Sequence, residues 1–465
     1  MTTQSAKQPS VRNQQASIGG RAHIGGKAPS LDTPFDVLLA TGCSGGTLAA
    51  VRQLGKNGVR AGLISSKMLS ASSWSRYTSR TYRGPSEKEN EQFLGLLLAI
   101  GKASPGQVLL PTSDETAWLY TLHAETLMQY FHLRQPSVES MKRILDKKLL
   151  SDAAVRAGLD VLPTWEPRSF CEVVAAAPTL QYPILIKPRT QVHRVQSDKG
   201  TVAYTKTELI EKYRTFLSRD HTESEQLDLP DANVPLLQHF VDTGTKGVHS
   251  VSGYIDETGE LFVTRHARKV FQRSQPAGVG ICFESLPTNP CLSESVRRLC
   301  LELGYFGIFE VEFISFDDRW AIIDFNPRLF NQAGMDAMRG MPLAMLAYLD
   351  AAGRTAELRD AVEIARELDN DHPAVFYDRF TLWAILTAKM LSGRAAHDER
   401  AYWRDWRNRN REHSVYFAAD RRDPLPGVVH AISEVILGFK SFRRFLSSMS
   451  EEVPHAQPLI PKVSA

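Results

Sequence analysis

Between Ile308 and Arg328 the chain reads IFEVEFISFDDRWAIIDFNPR, and this stretch gathers the side chains best suited to chemistry. Glu310 and Glu312 stand two apart among apolar residues, the period of a strand. After a polar FDDR turn, WAIIDF returns as a second strand, and Asn326-Pro327-Arg328 ends it. Period-two geometry places Asp324 and Asn326 on one face, with Arg328 in step. If the strands pair, Glu312, Asp324 and Asn326 converge beside one guanidinium. Hard oxygen donors on rigid strands suit Mg2+, which keeps some waters and shares phosphate oxygens with a nucleotide. The competing reading is an amphipathic hairpin with one solvated acidic face.

Two other stretches place charge where it needs a partner. YPILIKPRT (182–190) is an apolar strand ending in Lys187-Pro188-Arg189, and an ammonium there calls for an anion. Residues 248–273 read as a hairpin turned at Asp256-Glu257-Thr258-Gly259. It ends in Arg265, His266, Arg268, Lys269 and Arg273, for which a solvated basic strand end is the plain alternative.

The elements that must carry these residues follow from the rest of the chain. At 465 residues there is room for two or three domains. The 43% hydrophobic and 23% charged content is that of an ordinary globular protein. A net charge of +3 and no long basic stripe argue against nucleic acid. The five cysteines are scattered, which implies neither a zinc site nor a disulfide framework, and a reduced cytoplasm is the simplest compartment. The longest apolar run, 93–101, is too short to span a bilayer, and the polar N-terminus has no signal core.

Residues 1–34 are polar and read as a disordered tail. FDVLLATG, a Gly-rich turn opening a helix, and VRAGLIS form a β-α-β unit, hence a parallel sheet. Glycines 42, 45 and 46 do not spell a dinucleotide fingerprint, so tight strand-to-helix packing is the favoured reading of that turn. A polar connector follows at 72–85. Thr112, Ser113 and Asp114 sit at a strand's carboxyl end, where open α/β sheets bind ligands, although helix capping also explains them. Residues 139–162 form one or two helices ending at Gly158, 234–244 a strand that turns polar, and 342–352, 356–369 and 375–394 are helical. Residues 427–449 make an amphipathic helix with Lys440, Arg443 and Arg444; packing on its own domain is favoured over docking on a membrane surface.

This order resembles the ATP-grasp superfamily over about residues 35–352. The motifs are Asp146-Lys147, Ile-Lys-Pro at 186–188, Gln238-His239-Phe240-Val241, a basic hairpin, and Glu312 followed twelve positions later by Asp324-Phe-Asn-Pro-Arg. It looks most like the carboxylate–amine ligases of that superfamily, which also resemble the synthetase domains of carbamoyl-phosphate synthase. Their Arg-x-Leu-Gly-x-x-Gly and Ser-Arg-Tyr patterns stand here at 52–58 and 75–77.

The resemblance implies an α/β and α+β fold. It comprises a Rossmann-like pre-ATP-grasp domain (35–135), a two-lobed ATP-grasp domain (136–352, the lid lobe at about 160–240 and the metal-site lobe at about 241–352), and a helical C-terminal extension (353–465). It implies ATP and Mg2+ as cofactors, with Mn2+ as a substitute. Lys147 and Lys187 would bind nucleotide phosphates. Gln238, His239 and Val241 would line the adenine hinge, and Asp242 would meet the ribose. Glu is usual in the family at the position of His239, and likewise at Asp324. Glu312, Asp324 and Asn326 would hold metal. Arg328, Arg268 and Lys269 would act on the transferring phosphoryl group or the substrate carboxylate. Asn331 would face substrate.

The implied activity activates a carboxylate as an acyl phosphate and joins it to an amine, releasing ADP and phosphate. Partners are then small molecules, with no nucleic acid and no transmembrane segment; oligomerisation is left open. The loop 188–202 would close over the phosphates. The alternatives are a biotin-type carboxylase, since Thr387-Ala388-Lys389-Met390 faintly resembles a biotinyl-lysine segment; a non-catalytic ATP-binding module; and a Rossmann-type oxidoreductase on 36–64.

Overall fold

Residues 35–42, 44–194, 199–219, 231–242, 247–273, 278–316, 319–368, 373–391 and 399–437 are described by the computed structural model. The expected tail (1–34) lies outside them, as do 195–198 of the expected phosphate loop.

The first sheet is parallel and takes β1 (Val37–Ala40), β2 (Ala61–Ser65), β3 (Thr78–Arg83), β4 (Gln107–Leu109) and β5 (Phe131–His132) in the order β3-β2-β1-β4-β5. Strands β1 and β2 are buried along their whole length, as their unbroken apolar sequences require of a sheet covered on both faces. Strand order reverses between β1 and β4, so their carboxyl ends open a crevice. Strand β3 corrects the expected connector. Its sequence TSRTYR is polar because it is a half-exposed edge, and no apolar alternation marks it.

The Gly-rich turn is explained by close approach. A Cβ on Gly45 would lie 2.7 Å from the Phe417 ring and 2.9 Å from the Asn331 carbonyl oxygen. A Cβ on Gly42 would meet Ser113 at 2.8 Å.

A four-stranded sheet follows, built from β7 (Thr164–Trp165), β8 (Ile184–Lys187), β9 (Thr201–Ala203) and β10 (Leu236–His239) in the order β7-β10-β8-β9. Helices Phe170–Ala176 and Lys206–Arg219 cover one face, burying Ile184, Ile186, Leu209, Tyr213 and Leu237. The short β6 (Asp160–Val161) joins the third sheet instead.

That sheet has eight strands. It is centred on β11 (Val248–Ile255), β12 (Phe262–Gln272), β13 (Gly280–Leu286), β14 (Gly307–Phe316) and β15 (Arg319–Asn326), and is extended by β16 (Val375–Tyr377) and β17 (Ser414–Tyr416). Its β11, β14 and β15 pack one face against helices Lys147–Arg156 and Pro290–Leu303 through Leu150, Val296, Leu299, Phe309 and Phe313.

The stretch 139–162 holds two helices, Val138–Leu145 and Lys147–Arg156, separated by Asp146. The C-terminal extension corrects expectation more sharply. Residues 375–377 form a strand before helix Arg379–Leu391, and the extension adds two strands to the third sheet rather than helices alone. Lys389 lies inside that helix with its ammonium 2.7 Å from Glu399, an unsuitable place for a carrier lysine.

Beyond β17 the chain crosses to the first sheet's layer. The buried Asp423 carboxylate accepts from Arg52 Nε (2.9 Å), Ser75 Oγ (2.7 Å) and Arg76 N (2.9 Å). Burial alone would raise this carboxyl, but the Arg76 amide, Ser75 and Arg52 hold it below the usual range. Replacing Asp423 by Ala strands the Arg52 cation and is expected to cost about 3 kcal/mol in urea denaturation at neutral pH. Because the folded carboxyl is lowered, its contribution is complete above the ordinary carboxylate range. The wild-type advantage should therefore hold steady down to about pH 5 and shrink below about pH 4.

Candidate active site

Strands β14 and β15 pair with Glu312 opposite Asp324 and Glu310 opposite Asn326, so all four project from one face. The same face carries Ser250 of β11, opposite Glu312, and Lys269 of β12. Lys269 Nζ lies 3.4 Å from Glu312 Oε1. The carboxylates and the amide therefore converge as the hairpin reading required.

Asp324 is the focus. Lys147 Nζ meets its Oδ1 at 2.6 Å and Lys199 Nζ its Oδ2 at 3.0 Å. Lys187 Nζ donates to the neighbouring Ile323 carbonyl at 2.6 Å and lies 3.4 Å from Gln238 Oε1. Burial would push Asp324 up, but Lys147, Lys199 and Lys187 hold it well below the carboxylate range. Burial, then Lys147, pull the Lys187 ammonium down to about 7, while Asp324 opposes them. Lys199 is raised, chiefly by Asp324.

Sequence and local structure explain how Lys147 gets there. Asp146 caps its helix by accepting from Lys148 N (2.8 Å) and Leu149 N (3.1 Å), and its other oxygen takes Arg189 Nε at 2.6 Å. Lys147 N in turn donates to the Arg189 carbonyl at 2.9 Å. The Asp-Lys pair is thus tied to the Lys-Pro-Arg strand end, and the two lysines arrive together.

Arg328 bridges two sheets. Its Nε meets Asp114 Oδ1 at 3.0 Å, at the carboxyl edge of the first sheet, and its Nη2 meets Asn326 Oδ1 at 2.8 Å. The Asn326 amide is oriented by Glu310, which accepts from its Nδ2 at 3.1 Å and also from Gln332. Glu310 is raised to about 7 by burial and by Glu312. Behind Arg328 a pocket of about 480 Å3, open to solvent, is lined by Pro111, Arg134, Phe306, Arg328 and Asp350.

Two expected site residues, Arg268 and His239, point away from this cluster. Arg268 alternates with Lys269 and projects from the opposite face of β12, ion-paired with Glu284 at 2.6 Å; Glu284 also accepts from Trp406. The basic cluster is therefore no single patch. Arg265 is fully buried against the Arg339 and Ala365 carbonyls, and His266 is buried and lowered to about 3. His239 pairs with Ile184 and shares the helix-covered face of its sheet, so Gln238, not His239, turns its side chain toward Lys187. Asp242 is exposed beyond β10. Val241 packs with Leu162, Ile314 and Ala321, the last two from the third sheet. Asn331 sits at the Gly45 turn.

Sequence reasoning missed Lys199, whose one signal is its place before Gly200 in the loop after Ile-Lys-Pro. It also left Glu310 without a role.

The donor set fits a divalent cation held with a polyphosphate. Among the described residues, Lys147, Lys187 and Lys199 stand close to Asp324, with Glu312 acting on the latter two, a setting suited to phosphate oxygens beside a cation. The Ser250 hydroxyl, buried beside Glu312, has no hydrogen-bond partner there. Glu312 and Asp324 offer hard oxygens in register, with the Asn326 amide oxygen two residues on.

No protein-family model matches the chain. Two carbamoyl phosphate synthase large chains match about half of it. The one from Pseudomonas syringae pv. tomato is 24% identical over 246 residues, 52% of this chain and 22% of its own length. The one from Methanothermobacter thermautotrophicus is 25% identical over 245 residues, 51% and 21%. The match thus spans about a fifth of those relatives. Among solved structures, an L-amino acid ligase from Bacillus licheniformis has a TM-score of 0.55 at 12% identity, covering 74% of this chain and 79% of its own. The biotin carboxylase domain of the Hydrogenobacter thermophilus 2-oxoglutarate carboxylase scores 0.54 at 16% identity, covering 69% and 70%. Biotin carboxylase from Campylobacter jejuni scores 0.52 at 16% identity, covering 70% and 72%. Parallel, four-stranded and eight-stranded sheets, lysines and carboxylates meeting where the last two face each other, and these likenesses lead to one conclusion: the chain has the ATP-grasp fold.

Proposed function

We propose that the chain is an ADP-forming ligase that activates a substrate carboxylate with ATP and joins it to an amine. The observation that carries this reading is the cluster of Lys147, Lys187 and Lys199 around Asp324, facing Glu312 across the hairpin. Similar proteins support it. The Hydrogenobacter domain was solved with MgADP and bicarbonate, the Campylobacter enzyme with a β-γ-ATP complex, and the Bacillus protein is an L-amino acid ligase.

In this reading Lys187 and Lys147 exchange protein oxygens for phosphate oxygens, a task suited to compact point charges on fixed elements. Gln238 and the backbone around Val241 form the hinge for the base. Glu312, Asp324 and Asn326 hold the divalent cation, which when bound neutralises charge on the phosphates. Arg328, fixed by Asp114 and Asn326, offers its planar fork to the acid and to the oxyanion of the amine's attack. Lys269 adds a second cation from β12. No protein nucleophile is needed: the carboxylate takes the γ-phosphoryl group, ADP leaves, and the amine then displaces phosphate. We place the ligase chemistry in residues 136–352 and give the first sheet's crevice, with Asp114 at its edge, to the substrates.

An acid-by-amine matrix tests the reading. ADP and phosphate should appear only when a cognate acid and amine are both present, and hydroxylamine should trap the activated acid as a hydroxamate. ADP release independent of any acid would contradict it. Asp324→Ala should lose the gain in ADP affinity that Mg2+ brings to the wild type, while keeping metal-free ADP binding, as read by calorimetry. Arg328→Lys keeps the charge but loses the fork bridging Asp114 and Asn326, so kcat should fall about 10²-fold with little change in the KM for ATP.

A further inference from the structure

The final described helix, 425–437, buries one side and leaves the other bare. Pro426, Gly427, Val429 and His430 are buried, and His430 Nε2 lies 3.0 Å from Asp378. Leu425, Val428, Ile432, Val435 and Ile436 are exposed, Val428 at 53% and Val435 at 57%. Their spacing of three, four, three and one residues forms a single stripe along the helix. Ser433 Oγ donates to the Leu69 carbonyl at 3.2 Å, which sets the stripe beside Met68, 75% exposed, and Trp74, 44% exposed. Among the described residues these exposed apolar side chains stand on a helix anchored by the His430–Asp378, Ser433–Leu69 and Arg273–Glu434 contacts.

Bases outnumber acids around it, the partly exposed acids being Asp420 and Glu434. Lys67, Arg76, Arg83, Arg421 and Arg422 are exposed along its margin. The Arg83 guanidinium bonds the Lys67 and Met68 carbonyls, and Arg76 bonds the Arg422 carbonyl. Glu434, on the same helix, pairs with Arg273 at 3.0 Å. Lys440, Arg443 and Arg444 of the expected amphipathic helix lie outside the described residues.

We propose that this face docks on an anionic lipid surface. Large apolar side chains in a stripe with bases at its edges match the boundary between acyl chains and acidic headgroups. A second copy of the chain is the poorer occupant, because two such faces would bring basic rims together. No described helix is long and apolar enough to cross a membrane, so the contact is peripheral. The site chemistry and this surface are independent of each other, and either can fail alone.

Co-sedimentation of the full-length protein with vesicles decides it. Binding to vesicles of phosphatidylcholine with about a third phosphatidylglycerol should exceed binding to phosphatidylcholine alone by about tenfold, and should fall as salt rises from about 0.1 M to 0.5 M. Ile432→Asp with Val435→Asp should abolish it without altering ADP release. Arg421→Glu with Arg422→Glu, which leaves the stripe intact, should weaken it. Equal and weak binding of the wild type to both vesicles overturns the proposal. So does a dimer, seen by light scattering and broken by the Asp variant, with no vesicle binding.

Discussion

One carboxylate binds two lysines, with a third beside it, at the junction of two sheets. Asp324 receives Lys147 from the start of a helix that packs on the third sheet, and Lys199 from the loop entering β9, while Lys187 from the end of β8 bonds the adjoining backbone. Burying so much like charge is unfavourable unless something negative faces it. Burial, then Lys147, lowers the Lys187 ammonium, while Asp324 and Glu312 oppose them. In the proposed reading a polyphosphate would share these ammonium groups with Asp324.

Much of the surrounding structure serves to hold that arrangement. Asp146 caps a helix and binds Arg189 with the same carboxylate, which locks Lys147 to the strand end carrying Lys187. Glu310 takes the amide hydrogens of Asn326 and leaves the Asn326 oxygen turned to Arg328. Arg328 then reaches Asp114 and couples the hairpin to the first sheet. On the far side, Asp423 ties the C-terminal segment to Arg52 and Ser75, and Phe417 lies over Gly45. The Gly-rich turn is thus a place where backbone meets the Phe417 ring and the Asn331 carbonyl, not the strand-to-helix packing that the sequence suggested.

The hairpin was legible because its period and its polar residues agree: acids two apart on apolar strands have one sensible face. Lys187 was legible because a charge ending an apolar strand needs an explanation. The side of the sheet to which Arg268 points was not, because a run of bases reads the same whether it alternates or clusters; only the register with Glu284 and Glu312 separates Arg268 from Lys269. The face taken by His239 was hidden for the same reason, its neighbour Gln238 taking the position toward Lys187. Strands β3, β16 and β17 are short or polar edges, where pairing partners rather than local pattern decide the conformation. Lys199 lay in a polar turn whose importance appears only when the chain folds back on Asp324.

A crystal structure of the protein with MgADP tests the central claim most directly. The account predicts that Lys147 and Lys187 turn to phosphate oxygens, and that the cation lies about 2.1 Å from oxygens of Glu312 and Asp324. Nucleotide bound elsewhere, with the Lys147–Asp324 ion pair intact, would contradict it.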